Sequence, residues 1–307
     1  MPAWGELLHD ISAVVDAQKG EWLQEKIYEN LERISVQRGG RNVLFYGSGW
    51  LQKQVPAGLS QIMHEDINGF MTSIHGMDWS KGLTLVLHTP GGAINAAETI
   101  VSYLQSKFDD IETIVPVYSM SAGTMITLGT NNVIMGRQSQ LGPIDPQMLM
   151  GNGTVSARAI VEQFGRAHAE ISANPVVAHV WAPIIQSLGP ALLTEAVNAL
   201  SFGERMVREW LERRMFVGLP DAQTKARTVA AFFNDATQHL SHGRRIDRDE
   251  ARSLDIPVED LEADQELQDA VLTAYHLITI LFEMSPAVKA IYTNSRRAWV
   301  KNMQMPM

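Results

Sequence analysis

The chain has 307 residues, 45% of them apolar and 19% charged, which is enough for a large core and excludes disorder as the default state. Its formal net charge of −9 argues against a nucleic-acid partner, which would need a basic stripe to neutralise phosphates. With no cysteine, disulfides, thiolate nucleophiles and Cys-ligated zinc are all excluded.

Residues 1–40 read as an amphipathic helical lead-in, suited to packing or an oligomer contact. The opening "MPAWGELLHDISAVVDAQKGEW" lacks the basic segment and unbroken apolar run of a signal peptide, and no stretch of about 18 consecutive apolar residues occurs. A cytoplasmic protein without a membrane span is the expectation. From 41 to 150, β-rich runs alternate with helical patterns. Strands are predicted at "NVLFYG" (42–47), "LTLVLH" (83–88), "IETIVPVY" (111–118) and "NNVIMG" (131–136). Between the second and third, Ile94, Ala97, Val101, Leu104 and Phe108 fall at helical spacing. Strands recurring with helices between them imply βαβ crossovers and a mostly parallel sheet, hence an α/β fold. After "GRQSQLGPIDPQMLMGNG" (136–153), residues 151–307 read as helix after helix, broken at "ANP", "LGP", "VGLPD" and "SHGRR". The longest predicted helix runs from Val258 to Phe282, with acidic residues early and apolar ones later. This region is expected to complete or extend the core.

Two motifs carry chemistry. "LVLHTPGGAINAAETI" (85–100) is a strand, a Pro-Gly-Gly turn and a helix, and its glycines permit positive φ and leave amide N–H groups facing open space. Phosphate binding, an oxyanion hole or a plain tight turn would each use such a turn. Neither GxGxxG nor GxxxxGK[ST] is present, so the dinucleotide and P-loop readings lose their main support. In "VPVYSMSAGTMITLGT" (115–130), Ser121 stands where a strand passes into a helix, among the small residues Ser119, Ala122, Gly123 and Thr124. It is either a helix N-cap or a serine exposed on a sharp turn beside unsatisfied helical amides, as in the small-x-Ser-x-Gly elbow of hydrolases.

Taken in order, "LHTPGG", "YSMSAGTMI" and "GRQSQLGPIDPQ" resemble the serine dehydrogenase proteinase family, relatives of signal peptide peptidase A and the Clp protease proteolytic subunit in the ClpP/crotonase superfamily. The resemblance covers residues 40–150 and, more weakly, "SHGRRIDRDEAR". It implies a ClpP/crotonase-like fold and a serine peptidase acting through an acyl-enzyme on Ser121. The amides of Gly91 or Gly92 and of Ala122 would form the oxyanion hole, and a peptide or protein substrate would lie along a sheet edge. It also implies a homo-oligomer and no cofactor.

The base is left open. Where Clp peptidases carry a histidine in "IHQP", this chain reads "IDPQ", with Asp145. Asp145 is a weak base if burial raises its pKa, or the cap of a Pro-bounded turn. His242, in the segment shared with the family, and Lys225, by analogy with the lysine of signal peptide peptidases, are the other candidates. Lys225 also reads as part of a solvated helix face, and His88 either lines the site or is a hydrogen-bonded strand-end residue. Glu98 falls off the apolar stripe of its helix, and Arg137 is placed to pair with a carboxylate near Asp145. The remaining histidines have no metal-ligand spacing, so no metal is expected. Two further classes stand beside the peptidase: a crotonase-like acyl-CoA enzyme, which needs the amides but not the serine, and a noncatalytic scaffold that has lost its base.

Overall fold

Strands covered by helices on both faces run apolar without alternation, as "NVLFYGS" does. In the computed structural model, which describes residues 4–151, 153–189 and 191–303, this run is strand β1 (Asn42–Ser48), buried along its whole length. Two helices, α1 (Trp4–Ser12) and α2 (Lys19–Gln37), lead into it. Next come α3 (Ala57–Ser60), α4 (Asp66–Ile74), β2 (Leu83–His88), α5 (Ile94–Gln105), β3 (Ile111–Val115), β4 (Tyr118–Ser119), α6 (Ala122–Leu128) and β5 (Asn132–Met135). A short strand β6 (Gln140–Leu141) and the antiparallel pair β7 (Gln147–Met150) and β8 (Gly153–Ser156) follow. Six helices come next: α7 (Ala157–Ala173), α8 (Ala178–Leu188), α9 (Leu192–Arg213), α10 (Ala222–Asn234), α11 (Ala236–His239) and α12 (Arg248–Ser253). The chain ends in β9 (Val258–Asp260), α13 (Gln265–Met284), β10 (Ala287–Thr293) and β11 (Ala298–Asn302). Asn152 and Pro190, within two of the predicted breaks, lie outside the described residues.

The main sheet has the order β11-β10-β1-β2-β3-β5-β9. β1, β2, β3, β5 and β9 are parallel, and β10 and β11 add an antiparallel edge. Side-chain period two divides each parallel strand between two cores. Leu44, Tyr46, Leu85, Leu87 and Val133 face a core shared with α4, α5, α6, α9 and α10, whereas Val43, Phe45, Val86 and Ile134 face α1, α2 and α13. The predicted α/β class, the mostly parallel sheet and the helical lead-in therefore hold, and α2 packs directly on α13 and β1.

The predicted all-helical end requires correction. Residues 258–260, 287–293 and 298–302 are strands that complete the central sheet, and the helix predicted from Val258 starts only at Gln265, capped by Asp264 Oδ1 accepting from Leu267 N–H. A short, fully buried run such as "AVKAIYT" has no periodicity that separates strand from helix, and its partners β1 and β11 decide. The strand predicted at 111–118 divides into β3 and β4 around Pro116, which has no N–H to donate to a ladder.

A buried ion pair braces the sheet edge near the glycine turn. Lys289 on β10 and Asp66 at the start of α4 are both wholly inaccessible, with Nζ 2.5 Å from Oδ1. Tyr46 Oη and the Met63 N–H donate to the other carboxylate oxygen at 2.9 and 3.0 Å, and Lys289 Nζ also donates to Gln61 O at 3.0 Å. Removing one member of such a pair strands the other charge in a dry site. Lys289→Met is expected to lower unfolding stability by about 3–5 kcal/mol, measured by urea denaturation. Loss of under about 1 kcal/mol would show that Asp66 is satisfied without the cation.

Candidate active site

Four separate segments are joined, through one or two residue pairs at each step, into a small ladder beside the main sheet. Thr89 pairs in parallel with Ser119, and β4 pairs in parallel with β6 (Ser119 with Leu141). Leu141 in turn pairs antiparallel with Ile246, its N–H 2.9 Å from Ile246 O and the return bond 3.0 Å. In parallel strands the chain leaves in one direction, and an antiparallel strand reaches the same end by running backwards. Gly91 and Gly92 beyond Thr89, Ser121 beyond Ser119, Asp145 beyond Leu141 and His242 before Ile246 therefore all emerge at one end of the ladder.

Ser121 is held in a conformation that L-residues seldom adopt, at φ 52° and ψ −116°. Such a backbone costs on the order of 1–3 kcal/mol and persists only where its surroundings impose it. Here the Gly123 N–H donates to Met120 O at 2.8 Å and the Met125 N–H to Ser121 O at 3.1 Å, closing the turn into α6. Thr124 Oγ1 donates to Ser119 O at 2.7 Å and accepts from the Gly142 N–H at 2.9 Å, tying the turn to the segment that leads to Asp145. Ser121 occupies the N-cap position, yet its hydroxyl makes no capping bond. Among the described residues, Ser121 Oγ has no hydrogen-bond partner.

The glycine turn presses against this elbow. A Cβ on Gly91, itself at φ 95°, would lie 2.5 Å from Met120 O and 2.7 Å from Ser121 Cβ. On its outer side Ile62 forms a parallel bridge to Gly92, with the Ile62 N–H on Gly91 O at 2.8 Å and the Ala93 N–H on Ile62 O at 2.9 Å. That bridge turns the N–H of Gly92 away from Ile62, because a trans peptide points its C=O and N–H in opposite directions. The Gly91 N–H is already used, donating to Thr89 Oγ1 at 3.1 Å. Among the described residues, the amides of Gly92 and Ala122 donate to no protein acceptor. Of the two glycines proposed from sequence, Gly92 is the one with an open N–H.

Asp145 and His242, separate candidates in the sequence, form one hydrogen-bonded pair. His242 Nδ1 lies 2.7 Å from Asp145 Oδ1, and Gln147 Nε2 donates to Oδ2 at 2.7 Å. The carboxylate is 2% exposed and the imidazole 29% exposed, so the acid is fixed inside beside a partly open histidine, whose Nε2 has no hydrogen-bond partner among the described residues. No hydrogen bond joins His242 to Ser121. Lys225 lies elsewhere, on an exposed face of α10. Its ammonium sits 2.7 Å from Asp255 and 3.6 Å from Asp221, and the hydrogen bond to Asp255 raises its pKa, the opposite of what a base requires. Among the described residues the Arg137 guanidinium forms no ion pair near Asp145, and its main-chain N–H donates to Glu262 Oε1 at 2.8 Å. Glu98 is half-buried on α5.

His88 also departs from expectation. It is buried at the end of β2 under Trp50 and Tyr275, with ring centroids at 4.5 and 4.8 Å, and neither ring nitrogen has a hydrogen-bond partner among the described residues. Burial pushes its pKa down to about 3. Among the described residues, no group of three or more His, Asp or Glu side chains is placed to hold a metal.

Gly91→Ala should destabilise the fold by about 2 kcal/mol or more, because the new methyl meets backbone and strained φ together; a urea midpoint equal to wild type would refute the close approach. For His88, the folded-state pKa lies below the ordinary value of 6.5, so the neutral form is favoured by folding. Stability from this residue is complete above pH 6.5 and drains away as pH falls toward 3, by up to about 1.4 kcal/mol per pH unit. His88→Phe should flatten that acid slope in urea melts taken between pH 7 and 4. An unchanged slope would mean that His88 is protonated in the fold.

Part of the chain that carries this geometry is similar to known proteins. Residues 58–180 match the family described as ClpP-like SDH-type serine proteinases. Two uncharacterized proteins of Methanocaldococcus jannaschii are similar: MJ0137, 38% identical over 84 residues, which are 27% of this chain and 29% of that protein, and MJ1495, 30% identical over 113 residues, 37% of each. The match thus spans about a third of the length of these curated relatives. A mutant of the 1510-N membrane-bound stomatin-specific protease is a solved structure similar to this chain at 17% identity and a TM-score of 0.38, covering 64% of this chain and 74% of that one. Gly91, Gly92, Ser121 and Asp145 fall inside the matched region, and His242 falls outside it. The stretch 58–180 is thus similar to the ClpP-like SDH-type serine proteinase family that the ordered motifs resemble.

Proposed function

We propose that this chain is a serine endopeptidase in which Ser121 is the nucleophile, His242 its base and Asp145 the group that orients His242. The observation carrying this reading is the convergence, at one end of the ladder, of a strained serine, two open amides and a His-Asp pair. Ser121 Oγ attacks a peptide carbonyl while His242 Nε2 accepts its proton, and the carbonyl oxygen, now negative, receives the amides of Gly92 and Ala122. The protonated His242 then gives the proton to the leaving amine, and water, activated by the same imidazole, releases the acyl-enzyme. Asp145 accepts a hydrogen bond from Nδ1–H and so keeps Nε2 free to act as the acceptor in the first step. In this reading base and orienting group are two residues, where the sequence left the base open.

No cofactor enters this chemistry. A homo-oligomer that encloses the site and a cytoplasmic location are part of the proposal. Among the described residues no single helix is long and apolar enough to cross a membrane.

The test is labelling by a fluorophosphonate probe with site identification by mass spectrometry. Ser121 is expected to be modified, Ser121→Ala to remain unlabelled, and His242→Ala and Asp145→Asn to slow labelling by about 10³-fold or more while remaining folded. A folded wild type that stays unlabelled beside a reactive control hydrolase would sink the peptidase reading and favour the scaffold or acyl-CoA alternatives.

A further inference from the structure

A cavity of about 330 Å³ opens beside His242, between the first turns of α7 and the α11 segment, and Asp145, Gln147, Arg158, Glu162 and Thr237 share its lining. Its size is at the lower end of the range of about 300–1,000 Å³ typical of ligand sites. The charges within it are unevenly satisfied. Both Asp145 oxygens are taken, by His242 and by Gln147, and Glu162 Oε1 accepts from Thr237 Oγ1 at 2.8 Å. Arg158 is the exception. Its Nε is buried without an acceptor, and among the described residues it forms no ion pair. Glu162 stands four residues further along the same helix, a spacing at which Arg and Glu commonly pair, but it turns to Thr237 instead.

Arg158 is half-buried; its guanidinium cannot shed its charge, and its buried Nε–H without an acceptor is costly, so an anion entering the cavity would satisfy it. Its planar fork suits a carboxylate, which two parallel N–H donors can hold at once. The position of Arg158 at the second residue of α7 adds the favourable potential of a helix amino terminus. The two amides nearest that end are already bound, Ala157 to Pro146 O and Arg158 to Ser156 Oγ, so the guanidinium supplies the directional contact.

We propose that this cavity is a specificity subsite that binds a carboxylate of the peptide substrate, with Arg158 as the residue that selects it. The assignment rests on the peptidase reading for the ligand's being a peptide. Since His242 lines the same cavity, a chain whose carbonyl lies at Ser121 and His242 would place a neighbouring residue against Arg158. An acidic side chain and a free chain terminus both supply the carboxylate, and they are distinguished by experiment.

The Ser121→Ala protein, which cannot cleave, would be titrated by calorimetry with three pentapeptides: one capped at both ends with a central aspartate, its asparagine counterpart, and an all-alanine peptide with a free carboxyl terminus. A carboxylate-bearing peptide should bind about tenfold to a hundredfold more tightly than the asparagine peptide, and added Arg158→Gln should erase the difference without moving the thermal midpoint. Arg158→Lys should restore part of it. Preference for the aspartate peptide assigns the subsite to a side chain, and preference for the free acid assigns it to a chain terminus. Equal affinities, no binding of any peptide, or a preference that survives Arg158→Gln would each overturn the proposal. Fluorophosphonate labelling of the wild type is read separately. Arg158-dependent binding with no labelling would retain the anion site and reject the peptidase, and labelling without carboxylate preference would do the reverse.

Discussion

The arrangement of this protein depends on a short backbone ladder, Thr89 to Ser119 to Leu141 to Ile246. The Thr89 and Ile246 bridges are each made by two main-chain hydrogen bonds, so position is set by backbone rather than by side-chain identity. Because the first three segments run parallel and the fourth antiparallel, all of them deliver their candidate site residues to the same end. The main sheet holds the ladder in place. β2 runs into Thr89, and β3 runs into β4 past Pro116, so two of the four segments are direct continuations of central strands. This is the carboxyl end of the parallel strands, where open α/β sheets place their ligand sites.

At that end the chain accepts local cost for geometry. Ser121 carries an unfavourable backbone, Gly91 has no room for a side chain, and Gly92 lies against the backbone of Ile62. What offsets this is a network with few loose ends. Thr124 spans two turns, Ser119 Oγ and Thr127 Oγ1 lie 3.0 Å apart, and the Ile62 segment is anchored from below by Lys289 and Asp66. A buried network of this kind is costly to break at any one point, and that resistance holds the strained serine still.

Two histidines near the site illustrate how environment assigns a role. His88 is enclosed by aromatic rings, lacks hydrogen-bond partners and is held neutral by desolvation. It serves packing. His242 keeps one face in solvent and gives its Nδ1 to a buried carboxylate, which leaves Nε2 available for proton transfer. Lys225, a plausible base in the sequence alone, is engaged by two aspartates on an exposed face. The difference among these three lies in what surrounds them and not in residue type.

The local features of the site were legible along the chain. A Pro-Gly-Gly turn after a strand needs no partner to announce exposed amides, and Ser121 among small residues at a strand-to-helix junction marks a tight turn, because backbone freedom and side-chain size are properties of a few consecutive residues. The parallel core from β1 to β5 was legible for the same reason, as its strands and helices alternate in order. The strands at the carboxyl end were not, since β9, β10 and β11 owe their form to partners far away in sequence. Nor was the joining of Asp145 to His242 across 97 positions, of Lys289 to Asp66 across 223, or the unpaired state of Arg158. The sequence by itself determined which residues have the chemistry to attack, to donate amides and to carry charge. Only the tertiary structure decided which of them meet, because hydrogen bonding and burial between distant segments depend on sheet order and strand direction, and no local pattern encodes either.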